Sequence, residues 1–298
     1  MYTAECSKDV LTGKHDENCI EMLKKHNYSA KYFELVPKDF IDSQLVDSMV
    51  EYYKIMTITK KYNYDMILKY IPHELQSYEL AKLVLSKIYG GNFVYLRPDL
   101  QTNSELANIA VMNSPYFLDR GGYSKNIWTL LTEDTIIYYL SQPGKLLYRI
   151  PTEVITPNIC LSVSKMSIYN FDYIPKKYLT TEIIYNLLVA GAEKYIIYGT
   201  KGRNYTNKIM RYICEEQPDL LTEDILLYYF QNCNCRCVPN IPKHYLTVDF
   251  FNKVIGVKPN LIQIVPKDIK TSEYCFELLK INPDVLKYIP KKYLANMN

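Results

Sequence analysis

Apolar and polar positions recur along this chain in a short fixed order, anchored by prolines. Take Pro37, Pro72, Pro98, Pro151, Pro175, Pro242, Pro266 and Pro290 as successive origins. Four places before the proline stands Phe33, Leu68, Val94, Leu147, Phe171, Val238, Ile262 or Leu286. One place before it stands Val36, Ile71, Ile150, Ile174, Ile241, Val265 or Ile289, with Arg97 departing. Apolar residues three apart predict a short helical turn with one buried face. The proline ends that turn, because it lacks an N–H and restricts the residue before it.

Five places after the proline come Asp42, Ser77, Asn103, Thr156, Thr180, Thr247 and Thr271. Each is a good N-cap, with an oxygen able to accept a bond from an unpaired N–H of the next helix. Acids at Glu79, Glu105, Glu182, Asp249 and Glu273 then suit a first helical turn. Apolar pairs follow at a spacing of four: Leu45 and Met49, Leu80 and Val84, Leu106 and Ala110, Ile159 and Val163, Ile183 and Leu187, Phe250 and Val254, Tyr274 and Leu278. That spacing puts both members on one helix face. Each repeat therefore reads as a short helix, a proline turn, a cap and a longer helix of roughly 10–12 residues. Thr132 and Thr222 keep the cap where the proline is missing.

Repetition at this period predicts an all-α helical-repeat solenoid rather than a globule with one cleft. The expected layout is one elongated domain over 1–298. Residues 1–35 form a degenerate N-terminal cap, with Asp16–Lys25 as a long helix that has lost its front half. Residues 36–146 form longer, irregular repeats, with added length near Lys60–Tyr64, Gly90-Gly91 and Gly121-Gly122. Residues 147–298 form regular repeats of 24 residues, the distance from Pro151 to Pro175 and from Pro242 to Pro266 to Pro290. One shortened repeat is expected near 200–222, with Asn204 capping the stretch Thr206–Glu216 and the short helix lost.

Composition narrows the function. A hydrophobic content of 48% suffices for an ordered core, and a net charge of +3 does not by itself point to nucleic acid or membrane. No apolar run approaches the ~18 residues of a membrane span, and Met1–Cys6 does not read as a secretory signal. The expectation is a soluble protein of the cytoplasm. Cys19, Cys160 and Cys275 share one repeat position beside the apolar pair, where a thiol acts as a small core residue. Cys233, Cys235 and Cys237 form a Cys-Asn-Cys-Arg-Cys loop. It lacks a second cluster at zinc-ligand spacing and is not the redox Cys-x-x-Cys, so no metal or cofactor is expected.

No nucleophile and base, and no carboxylate pair beyond the helix-start acids, can be paired by spacing. His73 and His244 fall in proline turns where other repeats carry Lys or Asp. Gly199–Arg203 lacks the spacing of a phosphate-binding loop. A row of Lys176, Lys243, Lys267 and Lys291 directly follows the prolines, with Tyr178, Tyr245 and Tyr293 two places on. Stacking would align these as a ridge. Lysines could meet phosphates and tyrosines could stack on bases. Equally, the lysines could solvate turns while the tyrosines pack between repeats.

The segments Leu147–Cys160, Phe171–Ile183 and Ile262–Cys275 resemble a family of short helical repeats of unknown function. Its typical repeat reads A-L-x-Y-V-P-x-x-x-x-T-x-E-I-C, and it is frequent in giant DNA viruses. The resemblance, with the abundance of Tyr, Ile, Lys and Asn, implies a mimivirus-like origin. The family carries no activity or catalytic residue to transfer. The expected function is noncatalytic, a scaffold for an unidentified viral or host protein partner, in the host cytoplasm or the virion. The alternative is a nucleic-acid-binding repeat protein using the Lys/Tyr ridge. Metal or enzyme chemistry at Cys233–Cys237 is a third and weaker reading.

Overall fold

In the computed structural model, each expected cap except Asn204 starts a helix. The side chains of Asp42, Ser77, Asn103, Thr132, Thr156, Thr180, Thr222, Thr247 and Thr271 each accept the backbone N–H three residues on, at 2.9–3.3 Å. One of the orphan donors of each helix start is thereby satisfied. The structure describes residues 16–34, 36, 38–55, 65–119, 127–198, 200–233 and 240–294, with the backbone alone for 16–20 and 193–204. Among the described residues every regular element is helical.

The chain divides into two compact units, Met1–Lys145 and Leu146–Asn298. The first holds α1 (Asp16–Lys25), α2 (Ala30–Phe33), α3 (Ser43–Ile55), α4 (Tyr78–Lys87), α5 (Ser104–Asn113), α6 (Ile127–Leu130) and α7 (Glu133–Ser141). Here α3 packs on α1 and α4, α4 on α5, and α5 on α7. The second holds α8 (Pro157–Met166), α9 (Thr181–Tyr198), α10 (Thr200–Glu216), α11 (Glu223–Asn232), α12 (Val248–Val257), α13 (Ser272–Ile281) and α14 (Lys291–Leu294). In it α9 packs on α8, α10 and α11, while α12 packs on α11 and α13.

The contact between neighbours is the apolar pair. Leu45, Met49, Leu80, Val84, Leu106, Ala110, Ile159, Val163, Ile183, Leu187, Phe250, Val254, Tyr274 and Leu278 are all buried. A second buried column runs beside them through Ala81, Ala107, Cys160, Ile184, Phe251 and Cys275. Each fully buried Leu, Val or Phe contributes roughly 1.5–3 kcal/mol.

Between the long helices the chain makes 3₁₀ turns. The proline stops one turn and starts another. Its fixed φ, −57° to −53° at Pro72, Pro151, Pro175 and Pro242, sets the entry. Its carbonyl then accepts the N–H three residues on, as Pro175 does from Tyr178 (2.8 Å) and Pro242 from Tyr245 (3.0 Å). Pro37 and Val238 lie outside the described residues.

Buried amides tie successive turns together, which periodicity did not reveal. The Asn92 Oδ1 accepts the Leu68 N–H at 3.0 Å, and its Nδ2 donates to the Asp65 and Tyr89 carbonyls. The Asn170 Oδ1 accepts the Leu147 N–H at 3.0 Å, and its Nδ2 donates to the Val163 carbonyl. Both amides are buried and link backbone 24 and 23 residues apart, one repeat.

Four local expectations need correction. Around Pro98, where Arg97 already departs from the pattern, the buried pair is Phe93 and Leu96 rather than one including Val94, a slip of one residue, and the Arg97 N–H donates to buried Gln76 (2.8 Å). Leu286 is 52% exposed although its counterparts Leu68, Leu147 and Ile262 are buried. That position faces the next repeat, as Phe33 against Tyr70 and Phe171 against Tyr212 show. After Leu286 only α14 follows among the described residues. Gly90-Gly91 adds no loop. A Cβ at Gly90 would stand 2.0 Å from the Ala110 carbonyl oxygen, so glycine there lets the turn lie against α5.

Finally, Asn204 lies inside α10 rather than at its start. The long α9 runs almost to the start of α10, and α10 packs on Ile168–Tyr173, the short-turn layer of the preceding repeat. The next capped helix, α11, packs directly on α9. A single enlarged repeat from Thr180 to Thr222 therefore replaces a regular repeat plus a shortened one, with α10 in the place of the short helix. Gly191 permits the close crossing, since a Cβ there would stand 2.4 Å from the Ile168 side chain and 3.0 Å from Thr206. Lys60–Tyr64 and Gly121-Gly122 lie outside the described residues.

Candidate functional site

The ridge residues all belong to the second unit. Lys176 and Lys243 open three-residue turns, Lys291 opens α14, and Lys267 follows Pro266 in a turn. All four are exposed. The Lys176 Nζ lies 5.2 Å from the Tyr212 ring centre. Tyr178, Tyr245 and Tyr293 are half-buried. Their ring faces are partly occupied by the residue between the two ridge positions. Lys177 sits 4.7 Å from Tyr178, the His244 ring 4.1 Å from Tyr245, and Lys292 4.6 Å from Tyr293. The Tyr245 hydroxyl also donates to the Leu221 carbonyl at 2.7 Å, one repeat back. These tyrosines act as packing and tethering groups, and a base stacking on them would have to displace an existing neighbour.

The long helices turn a different stripe to the surface. Five or six places after four of the caps stand Ile137 and Tyr138 on α7, Leu161 on α8, Tyr185 on α9, and Leu227 and Tyr228 on α11, whereas α3 and α12 carry Asp47, Ser48, Asn252 and Lys253 there. Each is half-buried or exposed. Two open grooves lie along such stripes. In the first unit Lys24, Asp47, Glu51, Tyr52 and Ile55 line one of about 600 Å³. In the second unit the N-terminal halves of α9 and α11 enclose one of about 720 Å³, lined by Glu182, Tyr185, Asp224, Ile225 and Tyr228 among others. The Tyr185 and Tyr228 rings meet edge to face at 5.1 Å.

The thiols are inert where described. Cys160 and Cys233 are buried, and burial pushes each thiol up to about 11, so both are protonated at neutral pH. At Cys233 the nearby Lys258 ammonium and Thr206 hydroxyl only partly oppose that shift. Burial also raises Cys275. Cys235 and Cys237 lie outside the described residues, as do Gly199 and the side chains of Cys19 and of 200–203. Among the described residues no group of three or more His, Cys, Asp or Glu is arranged to hold a metal ion. His73 and His244 are exposed on their turns. No helix of the described residues is long and apolar enough to cross a membrane.

Among the described residues of the first unit a buried Lys145 pairs with a partly buried Asp119, which also accepts the Tyr139 hydroxyl at 2.8 Å, while the Lys145 ammonium lies 4.5 Å from the Tyr116 ring centre. The arrangement ties the Pro115–Asp119 turn to the segment after α7. Comparison of the chain with protein-family models, curated proteins and solved structures finds no match. The resemblance to giant-virus repeats therefore rests on the quoted segments alone.

Proposed function

We propose that each unit is a stretch of α-solenoid and that the protein is a noncatalytic scaffold for a protein partner, of viral origin as the repeat resemblance implies. The observation that carries this reading is the outer stripe of the long helices. Ile137, Tyr138, Leu161, Tyr185, Leu227 and Tyr228 are apolar or aromatic, and each retains exposure on a helix already fixed by its cap and buried pair. Tyr-rich, weakly charged faces on rigid elements suit protein recognition, where aromatic anchors carry much of the binding energy. The polar alternative, nucleic acid on the lysine row, is disfavoured by tyrosines whose rings are already engaged. Photocrosslinking decides between them. A benzophenone amino acid placed at Leu161 or Tyr138 is expected to capture protein in cells that make the chain, while one at Lys243 captures much less. Tight single-stranded RNA binding at physiological salt, lost on changing Lys243, Lys267 and Lys291 together to Glu, would reverse the ranking.

A further inference from the structure

The groove between α9 and α11 differs from the groove of the first unit in having acids but no base in its lining. It arises at the enlarged repeat, where α11 rests on α9 and α10 is displaced to the short-turn layer. Its apolar lining comes from Ile225, Leu227 and the Tyr185–Tyr228 pair, with Tyr185 39% exposed. Its rim carries Glu182 and Asp224, both exposed, and no base lines it. The groove of the first unit instead contains Lys24.

The rim carboxylates stand in the first turns of α9 and α11, where they suit the helix dipole, but neither supplies the cap. Thr180 and Thr222 already accept the N–H groups of Ile183 and Ile225. The neighbouring Glu223 is the acid that pairs across to α12, with Lys253 at 2.9 Å. Neither Glu182 nor Asp224 pairs with a base among the described residues. An apolar floor with two carboxylates above it, neither in a salt bridge among the described residues, complements a cation attached to an apolar stem. Arginine and lysine have that form, since their methylene stems cover aromatic surface while the charge reaches a carboxylate. Tyrosine faces add a cation–π attraction.

We propose that this groove docks a basic segment of a protein partner, with Arg or Lys alternating with apolar residues. The inference rests on the scaffold reading and gives it a partner chemistry. The acidic rim repels nucleic acid, so the groove and the lysine row make opposite demands.

The test uses the full chain and three short fluorescein-labelled peptides, of alternating Arg and Leu, Arg and Gly, or Glu and Leu, followed by fluorescence anisotropy at physiological salt. The Arg–Leu peptide is expected to bind best, the Arg–Gly peptide more weakly, and the Glu–Leu peptide not measurably. The double variant Glu182→Gln with Asp224→Asn is expected to weaken the Arg–Leu peptide at least about tenfold. Tyr185→Ala should weaken it too, while Tyr185→Phe retains binding. These side chains are exposed, and an unchanged thermal midpoint checks that each variant folds. The matched change at the other groove, Asp47→Asn with Glu51→Gln, should leave affinity unaltered. Equal binding by the Glu182/Asp224 variant, preference for the Glu–Leu peptide, or displacement of the peptide by single-stranded RNA would each overturn the assignment. If the peptides fail while crosslinks from Leu161 persist, the groove assignment falls and the scaffold reading stands.

Discussion

Asn170 offers the sharpest test of how the repeats are joined. Its side chain is 2% exposed and completes two bonds, accepting from the Leu147 N–H and donating to the Val163 carbonyl, each at 3.0 Å. Replacing it with Ala leaves the Leu147 N–H as a buried donor without its acceptor, while the Val163 carbonyl keeps the Ser167 N–H at 3.3 Å. An unsatisfied buried donor costs roughly 1–3 kcal/mol, and the new cavity adds to this. Local backbone adjustment returns part, so the expected loss is about 3 kcal/mol. Repeat arrays need not unfold in one step, so a global midpoint alone is a blunt measure. Native-state hydrogen exchange at the Leu147 amide reads the bond directly. A loss of about 3 kcal/mol corresponds to roughly a hundredfold fall in protection, at 1.4 kcal/mol per decade. The equivalent change at exposed Asn158 should leave that amide unchanged. Protection at Leu147 within a factor of about three of the parent would mean that the amide is incidental and that apolar burial alone joins the turns.

The other expectations follow from the same contacts. Thr180→Ala removes the acceptor for the Ile183 N–H and should cost about 1 kcal/mol in denaturant unfolding, an unchanged midpoint counting against the cap. Leu187→Ala opens a fully buried site between helices and should cost about 2–5 kcal/mol in the same measurement. Gly90→Ala sets a methyl against the Ala110 carbonyl and should destabilise more than Gly144→Ala, although Gly144 has φ +76°, because nothing stands near Gly144. Equal midpoints for the two would contradict the close approach. Cys160 and Cys233 should resist a thiol reagent at neutral pH until the chain is unfolded. Because their folded pKa of about 11 exceeds the unfolded value, their contribution to stability is constant below the ordinary thiol pKa and declines as pH rises towards about 11. Rapid labelling of either in the native protein would refute the burial.

Capping and helix phase were legible because each is set within a few residues. A Thr followed by an acid and two apolar residues at a spacing of four specifies a start and a face without reference to the rest of the chain. The lapses came where a distant group intervened. At Arg97 the buried phase has slipped to Phe93 and Leu96, and the backbone there is held by the Gln76 amide 21 residues earlier. The Asn92 and Asn170 rungs join backbone a full repeat away, and no periodicity of apolar residues reports a polar rung. The sequence does place an Asn at the third residue of the short turn in both cases, which is the one signal that could have found them. Around Thr180–Thr222 the reading failed differently. A count of 24 residues assumes that every helix stops on time, and α9 does not, because no proline stands between Thr180 and Glu216 to stop it.

The ridge and the groove show how sequence regularity misdirects a search for function. Identical phrases such as Tyr-Ile-Pro-Lys-Lys-Tyr-Leu at Tyr173 and at Tyr288 attract attention as candidate sites. Yet every repeat must solve the same local problem, stopping a turn and starting a helix, and the same residues recur because that problem recurs. The Tyr245 hydroxyl on the Leu221 carbonyl and the stacked cations beside Tyr178 and Tyr293 are solutions of that kind. Recognition needs the reverse, a place where one surface differs from all others. In the second unit that place is where the repeat breaks. The overrun of α9 displaces α10 and seats α11 directly against α9. That leaves Glu182, Asp224 and the Tyr185–Tyr228 pair facing one open groove. None of the regular helices α8, α12 and α13 brings two acids without a basic partner together with a pair of tyrosine rings in this way among the described residues. A change that restored the interruption, such as a proline and cap in place of Ala190 and Gly191, should therefore abolish peptide docking at the groove while leaving the Thr247 and Thr271 caps intact. Docking that survived such a change would show that the groove does not depend on the break.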